Sequence, residues 1–171
     1  MNLKPAIQAF HILKNEGLIT DFVIGGAMSS AFYMAEPIST FDVDAFVALA
    51  TPPTSPLDLS PIYTRLTQLG HKPAGEHVEM EASPVRILVA ASQLEQEAME
   101  RADLHDYGGV QVKAFRPEYL AAIYVKLGRP KDLFRIQHMK DFGVLDLPKL
   151  EDVIRRHGLE GKWRIIQAKL S

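Results

Sequence analysis

The stretch Val23-Ile-Gly-Gly-Ala-Met-Ser-Ser30, with Phe41-Asp-Val-Asp-Ala-Phe46 shortly after it, governs how the rest of the chain is read. Asp21 to Ile24 is a short apolar strand that ends at Gly25-Gly26. A small-residue helix is expected from about Ala27 to Met34. A strand that ends in glycines and opens a helix leaves backbone N–H groups free, and glycine lets an anion approach them closely. Ser29 or Ser30 adds a hydroxyl donor. Phe41 to Leu49 reads as a strand, and Asp42 and Asp44 stand two apart on it, so both carboxylates project from one face. Two hard oxygen ligands on one face suit Mg²⁺, which completes its octahedron with water and substrate phosphates.

Working outward, residues 3–17 have helical spacing, with Pro5 in the first turn and Gly17 as the stop. Thr51 to Pro56 is a loop, and Pro61 to Leu69 is a helix closed by Gly70. His77 to Glu81 and Val85 to Ala90 alternate around Ser83-Pro84, which predicts a hairpin. Ser92 with Glu95 three residues on forms a capping box for a helix to about Ala102. Val110 to Ala114 is a strand, and helices fill the chain from Pro117 onward. The expected fold class is α+β: a mixed sheet flanked by helices, with residues 1–115 as the core and 116–171 as a C-terminal helical part packed on it.

Composition bounds the function. The chain has 171 residues, 47% hydrophobic and 23% charged, an ordinary globular balance. It has no cysteine, which excludes disulfides, thiolate zinc sites and cysteine nucleophiles and suits a reducing cytoplasm. No signal peptide or membrane span is expected from its apolar runs. Residues 1–112 carry 6 Lys/Arg against 14 Asp/Glu, and residues 113–171 carry 13 against 7. Such asymmetry suits either a metal site beside a phosphate-binding surface or two oppositely charged faces that dock on each other or lie in solvent. The histidines are scattered without metal-ligand spacing, and neither a P-loop nor a Gly-x-Gly-x-x-Gly motif is present. Arg155-Arg156-His157 with Lys162, Arg164 and Lys169 forms either an RNA-binding face or a solvated helix pair. Trp163 in that region is read as packing between helices.

The apolar-Gly-Gly turn, the short helix and the Asp-x-Asp strand together resemble the nucleotidyltransferase superfamily with the DNA polymerase β-like fold. Gly75-Glu-His-Val-Glu-Met-Glu81 with Pro84-Val-Arg-Ile-Leu88 is similar to the hairpin of small bacterial nucleotidyltransferase-like proteins. Val110 to Leu120, then Lys126-Leu-Gly-Arg-Pro-Lys-Asp132, resembles a run those proteins share. The likeness extends to the toxins of type IV toxin–antitoxin systems and covers roughly residues 20–140.

The resemblance implies metal-dependent transfer of a nucleoside monophosphate from an NTP to RNA, a protein or a small molecule. It places the triphosphate on Gly25, Gly26 and the helix carrying Ser29, and two Mg²⁺ ions on Asp42 and Asp44. Lys126, Arg129 and Lys131 supply positive charge near the phosphates or the acceptor. Where active members carry a third carboxylate this chain aligns Arg86, which cannot serve as a base. Glu79 or Glu81 is then the substitute, with Glu79 the candidate catalytic residue. Ile38 stands where a basic residue is common. The alternative is a catalytically degenerate member that binds a nucleotide or a protein, such as a cognate antitoxin or regulatory protein.

Overall fold

Strand alternation sorts the side chains onto two faces of one sheet. The computed structural model describes residues 2–36, 39–50, 58–81 and 83–170. Helix α1 (Lys4–Asn15) leads into β1 (Ile19–Ile24), α2 (Gly26–Ser30), β2 (Val43–Leu49) and α3 (Ser60–Gln68). Strands β3 (Lys72–Ala74), β4 (His77–Met80) and β5 (Ser83–Val89) follow, then α4 (Gln93–Glu100), β6 (Asp103–Tyr107) and β7 (Val110–Ala114). Four helices end the chain: α5 (Pro117–Leu127), α6 (Pro130–Asp141), α7 (Leu147–Arg156) and α8 (Glu160–Gln167).

The strands form one seven-stranded mixed sheet in the order β3-β4-β5-β2-β1-β7-β6. β2 runs antiparallel to β1 and parallel to β5, and β1 runs parallel to β7. Val43, Ala45 and Val47 of β2 and Val85 and Ile87 of β5 share a core with Ile7, Phe10 and Leu66 from α1 and α3. The alternate positions face the other way, where Phe46 and Leu88 pack with Phe115, Leu120 and Tyr124. Asp44 and Arg86 belong to that second face by the same parity. They are polar residues set in the middle of an apolar surface.

The expected fold class is the observed one. The capping box at Ser92 is present, with Ser92 Oγ accepting from the Glu95 amide at 3.3 Å and Glu95 Oε2 from the Ser92 amide at 3.0 Å. Trp163 is buried among the C-terminal helices. Three details differ. Helix α2 ends at Ser30 instead of running to Met34, because Ser30 Oγ donates back to Ala27 O at 2.6 Å in competition with helix propagation. The β4–β5 turn falls before Ser83, with Glu81 at φ 49°, so Ser83 and Pro84 belong to β5. Two strands lack the expected apolar alternation: β3 is an exposed edge containing Pro73, and β6 is a polar edge closed on β7 across Gly108-Gly109. The readings of Ile38 and of the loop at 51–56 lie outside the described residues. Among the described residues, no helix is long and apolar enough to cross a membrane.

Candidate functional site

The end of β1, the start of β2 and the middle of β5 meet at one place. The Gly25 amide donates to Asp44 O at 2.8 Å, which carries the β1–β2 ladder into the turn. Both glycines are required by close approach. A Cβ on Gly25 would lie 2.6 Å from the Phe46 ring. One on Gly26, whose φ is +56°, would lie 2.2 Å from Asp44 Oδ2. The room that Gly26 leaves is therefore taken by the protein's own carboxylate.

Asp44 and Arg86 are direct partners in the parallel β2–β5 register. Arg86 Nε and Nη2 hold Asp44 Oδ1 at 2.9 and 2.7 Å, and Nη2 lies 3.5 Å from Asp42 Oδ2. Arg86 Nη1 is 3.7 Å from Glu76 Oε2, beyond hydrogen-bond distance. Asp42 also has His77 Nε2 at 3.4 Å and accepts from Thr40 Oγ1 at 3.2 Å. Burial would raise the Asp42 carboxyl, but His77, Arg86 and Thr40 outweigh it and hold it below the usual aspartate range. Burial likewise opposes the Arg86 charge, and the carboxylates of Asp44, Asp42 and Glu76 push its pKa up in spite of it.

Behind this cluster lies a cleft of about 230 Å³. Phe46, Leu88, Phe115, Leu120, Ile123 and Leu127 supply apolar walls. Three guanidinium groups, from Arg86, Arg129 and Arg135, line it against the two carboxylates of Asp44 and Glu95. Arg129 begins α6 and is held there by Asp132, which is fully buried and accepts from Arg129 Nε at 2.7 Å and Nη2 at 3.1 Å. Arg135 stacks over the Tyr124 ring at 5.4 Å. Tyr124 is 3% exposed, and its hydroxyl has no hydrogen-bond partner among the described residues. Burial pushes that hydroxyl well above the ordinary tyrosine range.

Of the residues singled out in the sequence, Gly25, Gly26, Asp42, Asp44 and Arg86 converge here. Arg129 lines the cleft, and Lys126 reaches its edge through Glu95 at 3.3 Å. Lys131 lies exposed on the first turn of α6. Ser29 does not face the cleft: it is fully buried and donates to Phe115 O at 2.8 Å, tying α2 to the end of β7. Glu79 stands opposite Pro84 on β4, and no contact among the described residues joins it to Asp42 or Asp44. Glu81 is exposed in the turn. The glutamate that approaches Arg86 is Glu76. Sequence reasoning also passed over His77, Tyr124 and Arg135. His77 shares parity with Glu79, which was a usable signal, whereas Tyr124 sits in an α5 buried almost all round, where no stripe marks it.

The donor set does not fit the expected pair of Mg²⁺ ions. Asp44 Oδ1 is already hydrogen-bonded by the Arg86 guanidinium, and that cation repels another a few ångströms away.

No family model and no curated protein matches the chain. Solved structures do. One is an antigenic nucleotidyltransferase-like protein from Paracoccidioides brasiliensis, with TM-score 0.53, 15% identity, and 79% of this chain and 73% of that one covered. Another is ANT(2″)-Ia in complex with adenylyl-2″-tobramycin, with TM-score 0.53, 14% identity, and 92% and 98% of the two chains covered. At these identities the shared property is the fold.

Proposed function

We propose that this chain is a nucleotide-binding protein of the nucleotidyltransferase type, which takes a nucleoside triphosphate into the Asp44–Arg86–Arg129 cleft. One observation carries the reading: in a nucleotidyltransferase-like fold, the cleft beside the Gly25-Gly26 turn is lined by three arginines against two carboxylates and is otherwise apolar. Apolar walls accept a base or sugar face, while guanidinium forks match phosphate oxygens. Arg86 and Arg129 bind and orient the phosphates, and Asp132 fixes the direction in which Arg129 points. Arg86 lies against the acid pair and compensates one of its two charges, which favours binding over two-metal transfer. Such a protein works through a partner, of the toxin–antitoxin or another regulatory kind.

A second reading has its own support. Asp42, Asp44 and the Gly25-Gly26 turn stand together, which favours nucleotidyl transfer to an RNA, protein or small-molecule acceptor. Equilibrium dialysis with each labelled NTP tests the first reading. Saturable binding that Arg129→Gln weakens supports it, and no binding to any NTP overturns it. Label passing from the α-phosphate of an NTP to an acceptor, lost in Asp44→Asn, would establish the second reading instead.

A further inference from the structure

We infer that Arg86 is the resident cation of this site, standing where a divalent ion would stand and offering its remaining N–H groups to a phosphate; the inference rests on the nucleotide-binding reading above. Three observations carry it. The parallel register sets Arg86 directly beside Asp44, so the contact is built into the sheet and does not depend on a loop. The guanidinium spends Nε and Nη2 on Asp44, while Nη1 has the exposed Glu76 at 3.7 Å and no hydrogen bond among the described residues. Arginine presents five N–H donors in a fixed fork, so the Nη1 pair is unspent. Tyr124, in the wall of the same cleft, holds a buried hydroxyl that has no partner among the described residues. Three guanidinium groups line the cleft, two of them anchored by the buried Asp132, and the unspent donors call for an oxygen-rich anion.

Arg86 stays protonated at any accessible pH, so the replacement is permanent. It follows that the Asp42–Asp44 pair does not take a divalent cation while Arg86 is in place, and that phosphates bind without one. Removing the charge and keeping the carboxylates should restore a cation site.

Manganese titration followed by electron paramagnetic resonance reads this directly, with Mn²⁺ alone as the probe. Wild type and Arg86→Lys should leave free Mn²⁺ unchanged at millimolar concentrations. Arg86→Gln should bind it roughly tenfold or more tightly, the order expected on removing a like charge a few ångströms away. Arg86→Met, which fills similar space, replaces the glutamine variant if circular dichroism shows that one unfolded. Mn²⁺ binding by the wild type equal to that of the uncharged variant overturns the inference, as does its absence from both. Either result leaves NTP binding by the wild type to be judged separately, so failure here differs from failure of the nucleotide reading.

Discussion

Arg86 and Asp44 lie side by side on parallel strands, and Gly26 lets the Asp44 carboxylate lie flat against the β1–α2 turn. Each of these three residues depends on the other two. Gly26→Ala introduces a Cβ both at φ +56° and into the Asp44 carboxylate. The expected cost is about 2 kcal/mol or more, seen as a lower urea midpoint at unchanged slope. Tyr124→Phe should act in the opposite direction on stability. Removing a buried hydroxyl without a partner leaves the fold as stable or more stable by about 1 kcal/mol, while weakening NTP binding. A stability loss in Tyr124→Phe would mean that the hydroxyl has a partner in the folded protein. At this scale the face of Asp44 was legible, because two-residue alternation fixes the face of a strand, and Arg86 stood out through the resemblance, whereas Asp42 stands one residue before β2. The Arg86–Asp44 bond was not, because alternation does not say which strands are neighbours.

The capping box of α4 was readable because all its parts are local. The joint that α4 makes with α5 and α7 was not, because its residues are far apart in sequence. Glu97 of α4 accepts from Tyr119 Oη at 2.7 Å, has His157 Nε2 at 2.6 Å, and also receives Arg156. Burial alone would raise the Glu97 carboxyl, but the bonds from Tyr119, Arg156 and His157 hold it at about 2. A carboxyl lowered in the fold stabilises above its unfolded pKa and loses that contribution as pH falls towards its folded one. Thermal unfolding should therefore show stability declining from pH near 4.5 to near 2, and Glu97→Gln should flatten that part of the profile while lowering the neutral-pH melting temperature. An unchanged acid profile in Glu97→Gln would remove this joint from the account. Strands β3 and β6 escaped sequence reading for a different reason. Both are edges with polar or exposed side chains, so no buried face imposes a pattern on them.

Across the whole molecule, much of the charge asymmetry is spent on docking the two parts of the chain. Arg156 pairs with Glu97, Arg116 with Asp103 and Lys126 with Glu95, each joining residues 116–171 to the part before them. The second core continues this union, since Val23, Phe46 and Phe115 pack with residues of α5, α7 and α8. The division at residue 115 suggested by the sequence thus runs through a shared core, and the expectation is one cooperative unfolding transition for the full chain. Two separated transitions in calorimetry would contradict it. Fold class was legible because the order of elements and the Asp-x-Asp strand are sequence features. The cleft was legible only in part, since Arg135 and Tyr124 reach it through packing.

Whether a guanidinium or a metal ion receives the phosphates is read by titrating ATP calorimetrically with excess chelator and again with Mg²⁺. Saturable binding is expected in chelator, not strengthened by Mg²⁺ and weakened roughly tenfold by Arg86→Gln. Binding that requires Mg²⁺ and survives in Arg86→Gln would contradict this expectation.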